Sequence, residues 1–322
     1  AQLEPLEGMP IKFELGSHSP KTLLQQDLVI LSPGVSPILK IFEYARSQGI
    51  KITGEFEFAQ GFIKEPMVGV TGTNGKTTVA RLAEAMLKNS GITCWVGGSN
   101  ERPLTDYLRF NEKTQVVIIE VSAFMLEHTE SFNPSNIVFT NLAENHLDRY
   151  RSMEEYINAK RRVFRNTNQM TTSILNADDN AVVELARDPA VQRGKIFYFS
   201  RKQALEPQIM NIGGAVNIVD EVRVRTGPDV EVFSIKNMKL RGKHSIENVM
   251  AALLVSREHG ATKEAIQKTI DTFDSLPHRI EYVRKVRGAI FYNDSKATNV
   301  HAVLRSLDTF DENVILIMGG KD

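Results

Sequence analysis

The run Val68-Gly69-Val70-Thr71-Gly72-Thr73-Asn74-Gly75-Lys76-Thr77-Thr78 decides the fold. Met67 to Val70 is a short apolar stretch that reads as a buried strand. After the glycine turn, apolar positions return at helical spacing: Val79, Leu82, Ala83, Met86 and Leu87. Strand, glycine turn and helix start together make a phosphate cradle. Gly72 and Gly75 let backbone N–H groups approach an anion, and the unpaired N–H groups and dipole of the helix start favour negative charge. Thr73, Asn74 and Thr78 complete the loop. Lys76 is placed to meet the β/γ-phosphates and the Thr77 hydroxyl to ligate Mg²⁺. Val70 stands where the general motif has its first glycine, and Gly69 lies one place early. The competing reading is a glycine-rich hairpin, which leaves the flanking strand and helix patterns unexplained.

Working outward, other apolar runs end in polar loops. Gln115 to Ser122 carries four apolar β-branched residues and then Glu120. A carboxylate there is costly unless it is metal-linked or salt-bridged. Asn136 to Leu142 is a further strand leading to His146, a candidate metal or phosphate ligand; Asp148 and Arg149 beside it could form a structural pair. In the segment 152–164, Ser152 and Glu155 form a capping-box pattern. Met153, Tyr156, Ile157, Val163 and Phe164 trace one stripe that also holds Lys160, while Arg161 and Arg162 face solvent. An inward lysine is held as a neutral amine, able to bond a carboxylate or to take up CO₂ as a carbamate. A snorkelling lysine is the alternative.

Toward the ends, Asp27–Leu31 reads as a strand before the turn Ser32-Pro33-Gly34-Val35-Ser36-Pro37, either a ligand-bordering loop or a plain connection. A helix and a strand at Ile50–Ile52 follow. Ile92–Val96 is a strand running into Gly97-Gly98-Ser99-Asn100, a second loop that could cover a ligand. Residues 201–240 alternate as antiparallel strands. Gly242 to Asn248 starts a helix, with Ser245 either a cap or a nucleotide contact. Composition shifts at Pro277. Ala289–Tyr292 is a strand ending in Asn293 to Asn299, followed by a helix and a terminal strand Val314–Ile317.

Bulk properties narrow the class. The 322 residues suffice for two or three domains. Lys+Arg and Asp+Glu are equal at 39 each, so no global field favours nucleic acid or an anionic membrane. The one cysteine, Cys94, cannot form an intrachain disulfide, which fits the reducing cytoplasm. No apolar run is long enough to span a bilayer.

These stretches resemble the Mur ligases, within a superfamily that also holds the folylpolyglutamate synthases. The branch is carried by Glu120-Val121-Ser122-Ala123-Phe124-Met125-Leu126-Glu127, Leu276-Pro277-His278-Arg279-Ile280-Glu281 and Asn293-Asp294-Ser295-Lys296-Ala297-Thr298-Asn299. It is the branch that adds D-glutamate to UDP-N-acetylmuramoyl-L-alanine. The resemblance implies an α/β fold: a remnant of a UDP-binding Rossmann-like domain (1–65), a central ATP-binding domain (66–276) and the start of an amino-acid-binding Rossmann-like domain (277–322). It implies ATP and two Mg²⁺ ions. Lys76 and Thr77 would hold phosphates and metal with Glu120, and His146 and carbamylated Lys160 would serve the second ion. Asn248, Arg279 and Asp294 would contact adenosine or phosphate, Lys296 the γ-phosphate and Thr298 the glutamate. Ser32 and Gly34 would border UDP, with Ser99, Asn100 and Ser122 toward the muropeptide. The chain departs from the family pattern at Ser99, Ala123, Met125 and Ser245. The resemblance further implies a cytoplasmic monomer acting in peptidoglycan precursor synthesis, here cut at both ends, binding nucleotide but turning over little. Another amide ligase of the superfamily and a non-catalytic nucleotide-binding module are the alternatives.

Overall fold

The computed structural model describes residues 8–36, 38–99, 102–110, 113–145, 149–311 and 313–320. Its strands are β1 (Leu28–Leu31), β2 (Lys51–Gly54), β3 (Met67–Thr71), β4 (Cys94–Gly98), β5 (Val116–Glu120), β6 (Asn136–Phe139), β7 (Thr172–Asn176), β8 (Lys195–Ser200), β9 (Gly214–Ile218), β10 (Glu221–Arg225), β11 (Glu231–Ser234), β12 (Glu281–Val286) and β13 (Ala289–Asn293). Nine of them form one sheet in the order β11-β10-β9-β8-β7-β6-β3-β5-β4. Pairing is parallel from β4 to β9, and β10 and β11 extend the edge antiparallel.

Alternation along the central strands divides the interior into two cores. Val116 and Ile118 of β5 face one side, and Val117 and Ile119 the other. Both faces must therefore be covered, as parallel sheets require. Helices Lys76–Asn89, Lys243–Glu258 and Lys263–Thr272 cover the first face, burying Val79, Leu82, Ala83, Met86 and Leu87 as the spacing predicts. The second core gathers Trp95, Leu126, Tyr156 and Phe164. Because β3 is central, with β5 and β6 on either side, the loop after it lies at the carboxyl edge where open α/β sheets bind ligands.

Two smaller sheets flank this body: parallel β1–β2 and the antiparallel hairpin β12–β13. No helix among the described residues is long and apolar enough to cross a membrane.

Some expectations fail. Val314–Ile317 is not a strand: residues 313–320 have no regular structure, and Ile315 and Ile317 are exposed. A strand needs a neighbour for its backbone hydrogen bonds, and no partner pairs with this run among the described residues. Arg162 does not face solvent; it donates to the carbonyls of Leu126 and Thr129 at 2.7 and 2.8 Å. It is the cap residue after the helix Met153–Arg161, and its long side chain reaches backbone oxygens that the spacing of the helix does not reveal. Ser152 does cap the helix Met153–Arg161, accepting from Glu155 N, while the Glu155 carboxylate accepts from Arg151 N instead of Ser152 N.

Candidate functional site

The phosphate loop is shaped by what lies under it. Gly72 has φ +129°, and a Cβ there would lie 2.0 Å from Thr140 Oγ1. Gly75 has φ +90°, and a Cβ would meet Asn248 Oδ1 at 2.5 Å. Only glycine fits either position. Thr140 and Asn141, which follow β6, hold the loop in shape. Asn141 O accepts from Thr73 N and Asn141 Oδ1 from Asn74 N, each at 2.9 Å. Thr140 Oγ1 and Asn141 Nδ2 donate to Asn74 O at 2.6 and 3.0 Å. Sequence reading missed both residues, and the only available signal was a polar pair at the end of a strand whose adjacency to β3 the sequence does not show.

Two amines converge on the loop. Lys76 Nζ donates to Gly72 O at 3.1 Å and Thr73 O at 2.9 Å, and Lys160 Nζ donates to the same Gly72 O at 2.9 Å. Lys160 is 1% exposed. Burial, and then the neighbouring Lys76 charge, hold its amine well below the ordinary lysine value. Lys76 is pushed down to about 8 by burial, with Glu120 opposing and Arg279 adding to the shift. The inward reading of Lys160 therefore holds and the snorkelling alternative does not.

A second layer joins the loop to β5 and to the C-terminal segment. Thr77 Oγ1 donates to Glu120 Oε2 at 3.0 Å, and Arg279 Nη2 donates to Thr77 Oγ1 at 2.8 Å. Glu120 is fully buried. A carboxylate beside a hydroxyl is a hard-oxygen donor pair of the kind Mg²⁺ takes, with phosphate and water oxygens completing its shell. Among the described residues no group of three or more His, Cys, Asp and Glu gathers as a metal centre. The Thr77–Glu120 pair leaves the rest of such a shell to phosphate and water oxygens. Arg279 sits between His278 (φ +65°) and Ile280 (φ +48°), left-handed conformations that cost energy, most of all for β-branched Ile.

Beside the loop lies a cavity of about 570 Å³. The central body supplies Gly75, Thr78 and Asn248 to its wall, and the C-terminal segment supplies Arg279, Asp294 and Lys296. Asp294 also braces that segment, accepting from Ile280 N at 3.0 Å and from Ser306 Oγ. Ser245 Oγ donates to Arg241 O, and Gly242 rather than Ser245 occupies the cap position of the helix.

The remaining described candidates do not line the cavity. Ser122 caps the helix Ala123–Glu127, accepting from Met125 N, and Ser99 N donates to Glu120 O. Thr298 and Ser99 are exposed. Gly34 O accepts from Arg149 Nη1 at 3.1 Å in the turn that begins at Ser32. His146, Asn100 and Asp148 fall outside the described residues; the described carboxylate that pairs with Arg149 is that of Glu127.

A family model described as the Mur ligase middle domain matches residues 70–256. The chain is 79% identical over 321 residues to the UDP-N-acetylmuramoylalanine–D-glutamate ligase of Bdellovibrio bacteriovorus, covering 100% of this chain and 70% of that protein. It is 41% identical over 322 residues to the protein of the same name from Desulfatibacillum aliphaticivorans, with the same coverage. Among solved structures it is similar to a pseudomurein peptide ligase type C from Methanothermus fervidus, with TM-score 0.60 and 19% identity over 92% of this chain and 67% of that one. It is also similar to MurF from Acinetobacter baumannii, with TM-score 0.63 and 14% identity over 84% of this chain and 58% of that one. At those identities the structural likeness speaks for the fold.

Proposed function

The chain belongs to the Mur ligase family, and from that premise we propose that its site serves the ATP-dependent addition of D-glutamate to UDP-N-acetylmuramoyl-L-alanine. The observation that carries the reading is the convergence of Lys76 and Lys160 on Gly72 O beside the Thr77–Glu120 pair. The L-alanine carboxylate takes the γ-phosphoryl group of ATP, giving an acyl phosphate and ADP. The D-glutamate amine then attacks the acyl carbon and phosphate leaves.

In this scheme Lys76 gives up its loop carbonyls for the phosphates, and the strained turn aims Arg279 at the same charge. Thr77 and Glu120 would hold Mg²⁺, which would supply charge neutralisation in the phosphoryl transfer. The buried neutral Lys160 amine attacks CO₂ and loses a proton, leaving an anionic carbamate. That would serve a second Mg²⁺ with His146. Asn248 and Asp294 border the adenosine, Lys296 the γ-phosphate and Thr298 the glutamate. Ser32 and Gly34 border UDP, and Ser99, Asn100 and Ser122 the muropeptide. Residues 1–65, 66–276 and 277–322 are taken as three units, and the protein as a cytoplasmic monomer.

Calorimetry with a non-hydrolysable ATP analogue, with and without Mg²⁺, and ADP-release assays across acceptors and amino acids test the reading. ATP preferred over GTP, Mg²⁺-dependent binding, and any release tied to UDP-N-acetylmuramoyl-L-alanine with D-glutamate are expected. Binding indifferent to Mg²⁺, or release that follows a different acceptor or amino acid, would overturn it.

A further inference from the structure

The Asn74 backbone is committed to the central body, since its N–H and C=O both bond Thr140 or Asn141. Its side chain points the other way, into the C-terminal segment. Asn74 Oδ1 accepts from Asn299 Nδ2 at 3.1 Å, and Asn74 Nδ2 lies 3.0 Å from His301 Nδ1.

The orientation of every group in this contact follows from one helix cap. Asn299 caps the helix Val300–Leu307, its Oδ1 accepting from Ala302 N at 2.8 Å. Its Nδ2 is therefore the atom turned to Asn74, which must answer with Oδ1. That leaves Asn74 Nδ2 as a donor facing His301, so His301 Nδ1 must be the acceptor, with the ring proton on Nε2. The contact is satisfied only by a neutral imidazole in one tautomer.

The placement matters because the Asp294–Asn299 loop is held at two ends. Arg279 reaches Thr77 near its start, where Lys296 N also donates to His278 O, and Asn299 with His301 reaches Asn74 at its finish. Lys296 and Thr298 lie between those anchors, and the cavity has walls from both sides only while the segment is docked. We propose that His301 is a positioning residue: as a neutral acceptor for the Asn74 amide, it fixes the loop bearing Lys296 and Thr298 against the phosphate loop and completes the nucleotide cavity. This rests on reading that cavity as the nucleotide site.

The surroundings favour the neutral ring. Burial is the largest influence and lowers the His301 pKa below its ordinary 6.5. Arg305 on its own helix lowers it further, while Asp179 at the start of helix Asn180–Leu185 and Glu247 on helix Lys243–Glu258 oppose. The neutral form is thus fully present above the ordinary value, and docking weakens as pH falls from there through the depressed one.

The test compares the chain with His301→Leu, which removes the acceptor, and His301→Gln, whose amide oxygen accepts at any pH. Affinity for a Mg²⁺-bound non-hydrolysable ATP analogue is measured by calorimetry at pH 8 and pH 5.5. At pH 8 His301→Leu should bind roughly three- to tenfold more weakly, the effect of one lost hydrogen bond, and His301→Gln within about twofold of the unaltered chain. Between pH 8 and 5.5 the unaltered chain should lose more affinity than His301→Gln. Equal affinity for His301→Leu at pH 8, or superimposable pH profiles for the unaltered chain and His301→Gln, would overturn the inference. If the unaltered chain does not bind the analogue at all, the functional reading itself fails, a distinct result.

Discussion

The two flanks meet the central body in different ways. On the N-terminal side the helix Glu55–Gln60 is built into the second core: Phe56 is 1% exposed and packs edge-on against Phe132 at 4.8 Å, and Ala59 is fully buried. The turn farther up the chain is gripped through its backbone, Gly34 O by Arg149 and Val35 O by His128 Nε2 at 3.0 Å. On the C-terminal side, no described residue from 277 onward is buried. Among the described residues that flank meets the body through Arg279 to Thr77, Asn299 and His301 to Asn74, Arg305 to Glu247, and the Arg241 guanidinium over the Tyr292 ring. Apolar burial gives a contact that persists whatever is bound. A polar contact at the phosphate loop competes with ligand and water, so it can yield where the apolar contact cannot.

The largest effect should come from breaking the apolar side. Phe56→Ala removes a buried ring whose site cannot fully collapse against Phe132 and the sheet, and should cost about 3–5 kcal/mol in denaturant unfolding. A loss of under about 1 kcal/mol would mean the N-terminal helix only rests on the core, and the contrast between flanks would vanish.

Next comes the ion pair that spans the C-terminal contact. Glu247, nearly buried, receives Arg201 Nε at 2.7 Å and Arg305 Nη1 at 2.8 Å. Burial alone would raise its pKa, but Arg305 and then Arg201 outweigh it and hold the carboxyl below its ordinary 4.5. Its stabilisation is therefore complete above the ordinary value and lost as pH falls through the depressed one. Glu247→Gln should weaken docking by about 1–3 kcal/mol, the worth of hydrogen bonds to a charge, with the upper end reduced because both arginines remain partly in water. Hydrogen exchange in helix Val300–Leu307 reads this directly. Exchange should speed up in the variant at pH 7, and its rise on acidification, corrected for intrinsic rates, should be larger in the parent, where Glu247 and His301 both titrate, than in Glu247→Gln, where only His301 does.

How far the sequence reveals these contacts depends on their range. The phosphate loop is legible because its strand, glycines and helix start are contiguous, and the apolar stripe of helix Lys76–Asn89 buries as its period requires. Lys160 is legible for the same reason, sharing a face with Tyr156. What decides the shape of the loop comes from 66 to 69 residues away, at Thr140 and Asn141, and no local pattern marks it. The strand β12 escapes notice because a register shift between Tyr282 and Arg284 breaks its alternation. The left-handed residues on either side of Arg279 leave no local trace either, since neither is glycine.

The smallest effect is the most discriminating. Tyr150 OH donates to Glu127 Oε1 at 2.5 Å, while Arg149 bonds Glu127 Oε2 and continues to Gly34 O. Burial, and then the Glu127 carboxylate, push the Tyr150 hydroxyl above its ordinary range, so it remains a donor throughout the accessible pH range. Tyr150→Phe keeps the ring stacked on Phe124 and leaves Glu127 with Arg149 alone. The clasp on the turn should loosen by about 0.5–1.5 kcal/mol. If that turn borders UDP, the loss should be read as roughly two- to tenfold weaker binding of UDP-N-acetylmuramoyl-L-alanine, with affinity for the ATP analogue unchanged. His301→Leu should do the reverse. Two variants that each weaken only their own ligand would mean the flanks act separately through the central body. If Tyr150→Phe also weakened nucleotide binding, the N-terminal grip would be coupled to the phosphate loop, and the path to examine would be Tyr150 against Tyr156, whose hydroxyl lies 3.3 Å from Thr73 Oγ1.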